Sequence, residues 1–198
     1  KQIANIDLTP YSSGAGWDPI GDDMEGNEFT GVFDGNSFTI SNLYINRPTT
    51  RFVGLISYLD TGAKITNLTL SSMAVTGGER TGGIVAYNRG EIQNCNVSGT
   101  VAGEERVGGI AGQNRASILD CHAFVVVSAD DELAGGITGD NRGTVTGCTV
   151  IVEVSGEDMV GGVAGYNSGD IADCSAIGMV SCKVQCAGGF AGWNTGVI

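Results

Sequence analysis

Proline is scarce, three residues in 198, and histidine occurs once, as His122. With so little proline and without a strict every-third-residue glycine the chain is no collagen. Charged residues make up only 16% of the chain and hydrophobic residues 41%. That balance excludes a disordered, self-repelling tract. Basic residues are few as well. Ten lysines and arginines against 22 acidic residues leave a net charge of -12. Such a charge repels nucleic acid phosphates and anionic membranes and leaves cations and neutral partners. No apolar run approaches the roughly 20 residues of a membrane-spanning helix, so no membrane insertion is expected in this segment. The chain opens at Lys1 with neither a start methionine nor a signal-like stretch. A native N-terminus is therefore expected upstream.

Glycine is abundant, 33 residues, and its placement is periodic. Gly82-Gly83, Gly108-Gly109, Gly135-Gly136, Gly161-Gly162 and Gly188-Gly189 recur at a near-constant period of about 26 to 27 residues. Asn88, Asn114, Asn141, Asn167 and Asn194 keep the same steps, as do Cys95, Cys121, Cys148 and Cys174. A degenerate earlier copy runs from Val53-Gly54 to Leu68. Each unit contains short alternating Val, Ile and Thr stretches and no 3.6-residue apolar stripe, so strands are expected. Equivalent strands at near-constant spacing stack most economically in parallel, turn upon turn. The fold class is therefore an all-β, single-domain parallel β-solenoid of about six turns of about 26–27 residues, with right-handed coiling following from the crossover preference. At about 4.8 Å per turn the rod is about 30 Å long.

The columns of such a coil should point uniformly inward or outward. Ile65, Ile92, Ile118, Val145, Ile171 and Ile198 make one apolar column. Ala74, Val101, Val127, Val154 and Val180 make a second, and Leu55, Ile84, Ile110, Ile137, Val163 and Phe190 a third. Ala86, Gly112, Gly139, Gly165 and Gly192 mark either a corner too tight for a side chain or one needing positive φ. Residues 1–50 break the period and are expected to form an N-terminal cap or first irregular coils. Residues 51–198 carry the repeats and stop mid-unit, so a longer chain is expected, with an open edge through which end-to-end self-association is possible.

The unit Val107-Gly-Gly-Ile-Ala-Gly-Gln-Asn114, with Val160-Gly-Gly-Val-Ala-Gly-Tyr-Asn-Ser-Gly169, resembles the GLUG repeat. The stretches Asn5-Ile-Asp-Leu8, Trp17-Asp-Pro-Ile-Gly21 and Phe29-Thr-Gly-Val-Phe-Asp-Gly-Asn36 look like the segment that often precedes such repeats. The resemblance implies a β-solenoid from a large extracellular bacterial surface or adhesin-like protein, as also found in the non-catalytic flank of immunoglobulin-A-cleaving metalloproteases. It implies no protease activity here, because the sequence has no His-Glu-x-x-His motif.

Several columns carry candidate chemistry. Cys95, Cys121, Cys148 and Cys174 align with Leu68 and fit an inward column of small hydrophobes; a soft-metal column or inter-turn disulfides are the alternatives. Cys182 and Cys186 lie outside that column and could bridge locally in an extracellular protein. Glu79, Glu104, Glu105, Asp130 to Glu132, Glu157 and Asp158 precede the glycine pairs and should stack as an acidic ridge. Such a ridge is solvated, paired with Arg80 and Arg106, or bridged by calcium on Glu104, Glu105, Asp130, Asp131, Glu157 and Asp158. No other cofactor is expected.

Beside the asparagines runs the column Tyr58, Tyr87, Gln113, Asp140, Tyr166 and Trp193, followed by Arg89, Arg115 and Arg142. The asparagines fit an internal hydrogen-bonded ladder. Tyr87, Tyr166 and Trp193 with the three arginines could instead line a glycan groove that meets a host or environmental surface. Asp22, Asp23, Glu25 and Asp34 are the irregular acidic cluster that a polysaccharide hydrolase or lyase would draw on. His122 lies in an outward polar column with Asn96 and Thr149 and lacks a fixed partner for nucleophilic catalysis. The reading favoured by repeat regularity is a non-catalytic structural or adhesive module, against a glycan-binding or carbohydrate-active β-helix domain.

Overall fold

The computed structural model describes residues 1–22 and 26–198. It is a parallel β-solenoid of about six turns, and among the described residues its helical content is one 3-10 turn, Thr9–Tyr11. Each regular turn crosses four faces, illustrated by one circuit. Arg80–Gly82 lies on a short face, Val85–Asn88 on the asparagine face, Glu91–Gln93 on the isoleucine face and Asn96–Gly103 on a long face. The asparagine and isoleucine faces are six-stranded parallel sheets. The long and short faces join into one sheet because Thr149–Gly161 and Ser175–Gly188 run around the intervening corner without a break.

Each corner is made by a different residue type. Between the short and asparagine faces stands the glycine pair: a Cβ on Gly108 would lie 2.1 Å from the Ala111 carbonyl oxygen, and one on Gly109 2.3 Å from that of Gly136 in the next turn. Between the asparagine and isoleucine faces the asparagine closes an Asx-type turn, with Gly90 N–H donating to Asn88 Oδ1 at 3.0 Å. Between the isoleucine and long faces one residue per turn is left-handed: Asn67, Asn94, Asp120, Gly147 and Asp173, at φ of 52–67°. Asn, Asp and Gly are the residues that tolerate this conformation. The acidic residues occupy the fourth corner.

The apolar columns fill the interior. Ile65, Ile92, Ile118, Val145 and Ile171 pair in register on the isoleucine face and are buried, and Phe33 extends the column. Ile198 follows Val197, which bridges to Asp170, and is exposed. On the long face Val101 pairs with Val75, not with the expected Ala74. Ser72 takes φ 54° and the register slips there. The extra residue moves Ala74 out of the column and Val75 into it. The Gly112, Gly139, Gly165 and Gly192 column has no positive φ. Its cause is close approach: a Cβ on Gly139 would meet Val107 N at 2.5 Å and Leu133 O at 2.6 Å, so the asparagine and short faces touch backbone to backbone.

Residues before the repeats add to the same stacks. Val32–Asp34 pairs with Lys64–Thr66, Thr39–Ser41 and Tyr44–Asn46 pair with Thr69–Thr76, and Ile6–Asp7 lies on Thr39–Ser41, all in parallel. Leu8, Ile40, Leu43 and Ile45 are buried in the common core. Asp23 and Glu25 lie outside the described residues. Asp34 accepts from Asn67 Nδ2 at 3.1 Å and is held below the usual carboxylate range, chiefly by that bond.

Candidate binding surface

The asparagines form a continuous internal ladder. Asn88 Nδ2 donates to Asn114 Oδ1 at 2.7 Å, Asn114 to Asn141 at 2.8 Å, Asn141 to Asn167 at 2.7 Å and Asn167 to Asn194 at 2.7 Å. Each amide also donates to backbone carbonyls, as Asn141 does to Gly143 and Asp170. Asn88, Asn114, Asn141 and Asn167 are wholly buried, so these side chains face inward and take no ligand.

Cys95, Cys121 and Cys148 are buried, Cys174 is half-buried, and all six cysteines are free thiols. The column is hydrogen-bonded along its length: Cys95 N–H points to Cys121 Sγ at 3.4 Å, and Cys121 Sγ donates to the Leu119 carbonyl at 3.1 Å. Its bonds with the Cys148 and Cys95 thiols, and then burial, push the Cys121 thiol well above its ordinary value, so it is a protonated core residue. The expected Cys182–Cys186 bridge is not formed. Cys182 Sγ lies 3.2 Å from the Glu157 carbonyl oxygen and contacts that of Gln185, the register slips between Cys182 and Gln185, and Cys186 takes φ 55°.

The acidic residues stack through their backbones, with Asp131 N–H on Glu104 O and Glu157 N–H on Asp131 O. Their carboxylates do not converge: among the described residues no group of three or more His, Cys, Asp or Glu side chains could hold a metal ion. Glu104, Asp130, Asp131 and Glu157 are exposed, and like charges one turn apart fan into solvent. Glu79 differs. Burial raises its carboxyl, but the Arg51 hydrogen bond and the charges of Arg80, Arg51 and Arg106 outweigh it, leaving it below the ordinary glutamate value. Arg51 and Arg80 contact it directly and Arg106 lies at 3.3 Å.

The outer residues of the asparagine face align as a single row, Tyr58, Tyr87, Gln113, Asp140, Tyr166 and Trp193. The row is not uniformly open. At its centre Asp140 is 0% exposed and Gln113 is buried beneath arginines. Gln113 Nε2 donates to Asp140 at 2.6 Å, Arg142 Nε lies 3.0 Å and Arg106 Nε 3.5 Å from the same carboxylate oxygen, and Arg80 Nε donates to Gln113 Oε1 at 3.0 Å. A buried carboxylate with this much compensation is held, not reactive. At one end, Tyr58 and Tyr87 stack at 4.8 Å, Phe52 meets Tyr87 edge-on, and Arg80 and Arg115 cover the Tyr87 ring. Arg89 donates to the Tyr58 hydroxyl at 3.2 Å. Tyr87, Arg89 and Arg115 are therefore occupied by one another's neighbourhood. At the other end Tyr166, Trp193 and Arg142 line a hollow of about 290 Å³ with Glu132, Leu133 and Met159.

Two features of this surface escape a reading from the repeat alone. The corner ladder from Asn94 through Asn67 to Asp34, with bonds of 2.7 and 3.1 Å, is signalled by the Asn, Asp or Gly that precedes each column cysteine or Leu68. Leu133 and Met159, which replace Arg106 and Arg80 of earlier turns, are left-handed at φ 60° and 48°. His122 is exposed, in register with Asn96 and Thr149.

Known proteins bear on this geometry. The GLUG motif matches residues 77–102 and 156–181. Halomucin of Haloquadratum walsbyi is 39% identical over 92 residues, 46% of this chain and 1% of its own length. A candidate Gly-rich membrane protein of Evansella cellulosilytica is 33% identical over 100 residues, 48% of this chain and 11% of its own length. The chain thus spans a small fraction of these relatives. The crystal structure of a candidate immunoglobulin A1 protease from Bacteroides ovatus superposes with a TM-score of 0.59 at 16% identity, covering 94% of this chain and 76% of that one, a likeness of fold. The chain carries the GLUG motif in two of its turns and sets the same columns in the turns between them, all within one β-solenoid.

Proposed function

We propose that this chain is a non-catalytic structural repeat module of a cell-surface protein, a stiff rod that spaces or presents adhesive parts of a larger molecule on the cell exterior. The observation that carries the reading is the unbroken asparagine ladder, five residues in five consecutive turns bonded end to end inside the coil. Its groups are used in holding one turn on the next, which stiffens the rod along its axis. The conspicuous buried carboxylate, Asp140, is likewise taken up by Arg142, Arg106 and Gln113. The kinship to halomucin and to a Gly-rich membrane protein supports a place at the cell surface. Among the described residues no helix is long and apolar enough to cross a membrane.

Two measurements test this. In cells producing the full-length protein, an antibody against residues 77–181 should label intact cells, and labelling only after permeabilisation would refute the surface placement. Incubation of the purified chain with a panel of plant, bacterial and animal polysaccharides should release no new reducing ends or unsaturated products. Turnover abolished by changing an acidic residue of the chain would refute the non-catalytic reading.

A further inference from the structure

We propose that the hollow between Trp193, Tyr166 and the Leu133–Met159 ridge binds one ring of a neutral oligosaccharide. This goes beyond the scaffold reading and is independent of it, since a rod needs no such hollow. The two aromatic residues occupy adjacent rungs of the outer asparagine face, about 4.8 Å apart. The ends of the aromatic row are treated differently. Around Tyr87 the rings are consumed by Tyr58, Phe52 and two guanidinium groups. Tyr166, an inner rung, is half-buried and, among the described residues, has no ring or cation stacked on it; its hydroxyl meets Thr195 Oγ1 at 3.1 Å.

The opposite wall changes character in step. Earlier turns present Arg80 and Arg106 there, bonded to the Gln113–Asp140 pair; the turns beside Trp193 present Leu133 and Met159 instead. Both hold a left-handed backbone. L side chains with a Cβ disfavour that conformation, which departs from the backbone of Arg80 and Arg106 at the same corner in earlier turns. The result is an apolar cleft with one donor group and one acceptor group at its rim. Arg142 is fixed through Nε, 3.2 and 3.0 Å from the two Asp140 oxygens. Its terminal amino groups are left as donors in a set plane. Glu132 supplies the acceptor. A pyranose ring has the matching chemistry, C–H groups on its faces and hydroxyls around its edge. The hollow measures about 290 Å³. Ligand sites begin at roughly 300 Å³, so there is room for one ring with its neighbours left in solvent. Charge decides against a uronic or sialic acid: Asp140 already balances Arg142, Glu132 lies at the rim, and the chain carries -12.

The test is calorimetric titration of the whole chain with neutral hexasaccharides of α- and β-linked glucose, xylose, mannose and galactose, and with tetragalacturonate as the acidic comparison. At least one neutral oligosaccharide should bind saturably below about 10 mM, and Trp193→Ala should weaken it roughly tenfold or more while Tyr87→Ala leaves it unchanged. Circular dichroism checks folding, and Met159→Glu, which puts a charge on the apolar wall, gives the same loss without touching the aromatic rings. Binding of none of the neutral sugars, binding unchanged in both Trp193→Ala and Met159→Glu, or binding of tetragalacturonate alone would each overturn the proposal.

Discussion

Replacing Asn141 by leucine tests what holds the turns together. The side chain is wholly buried and makes bonds in both directions: its oxygen accepts from Asn114 Nδ2 at 2.8 Å and Gly143 N at 3.4 Å, and its amide donates to Asn167 Oδ1 at 2.7 Å. Leucine is close in size, so the cost is electrostatic more than steric. Asn114 Nδ2 keeps two backbone acceptors, at Ala116 and Thr144, and is not orphaned. Asn167 Oδ1 and Gly143 N lose their partners in a site closed to water. At about 1–3 kcal/mol for each buried group left unsatisfied, the expected loss is about 4 kcal/mol, which for a chain of this length lowers the midpoint of thermal unfolding by about 10 °C. Asn96, an exposed position on the long face, supplies the comparison. Asn96→Leu should stay within about 0.5 kcal/mol of the parent. Urea unfolding by circular dichroism gives both values, with the m-value monitored for loss of cooperativity along the rod. The pair Asn114→Leu and Asn141→Leu should cost less than the sum of the singles, because the bond between them is lost only once. Strict additivity, or an Asn141→Leu no worse than Asn96→Leu, would refute the ladder as a stabilising element.

Glycine supplies the second prediction. A Cβ on Gly136 would sit 2.3 Å from the Gly162 carbonyl oxygen, whereas one on Gly31 would make only ordinary contact, 3.6 Å from the Phe29 ring. In thermal melts Gly136→Ala should destabilise by about 2 kcal/mol or more. Gly31→Ala should be neutral or gain up to about 1 kcal/mol, and equal effects at the two positions would contradict the close approach. The Glu79 carboxyl titrates lower in the folded chain than in the unfolded one. Its contribution is therefore present above the unfolded pKa of about 4.3 and is lost as pH falls through the folded value. Acid unfolding followed by fluorescence should flatten below about pH 4 in Glu79→Gln, and an unchanged pH profile would show that the Arg51–Arg80–Arg106 cluster contributes nothing. Thiol titration with DTNB should find Cys174, Cys182 and Cys186 reactive in the native chain and Cys95, Cys121 and Cys148 only after denaturation; rapid reaction of all six would contradict the buried column.

The solenoid is legible in the sequence because the properties that define it are carried by one residue per turn. The isoleucine column, the asparagines and the glycine pairs each recur in register, and pairing such as Ile92 with Ile118 or Asn88 with Asn114 follows from spacing alone. What spacing does not carry is backbone conformation. Ala74 looks equivalent to Val101 by count, but Ser72 turns left-handed and the slip puts Val75 there. The glycine column beside each asparagine admits two explanations, and only the backbone geometry distinguishes close approach from positive φ.

The outer row resists a reading by period for a related reason: period predicts which face a residue is on, not how deeply its neighbours cover it. Asp140 and Gln113 share a row with Trp193, yet long side chains from adjoining corners, Arg80, Arg106 and Arg142, fold across them. Where the sequence exchanges those arginines for Leu133 and Met159, the cover is withdrawn and a hollow opens. Departures from the repeat thus hold more functional information than the repeat does. The periodic positions are committed to stacking one turn on another, so a binding activity must be sought where a column breaks its own rule. By that argument a GLUG-like turn with arginine restored at 133 and 159 should keep its fold and lose its hollow. Leu133→Arg with Met159→Arg tests it: melting close to the parent together with abolished sugar binding is expected. Retained binding would place recognition elsewhere on the rod.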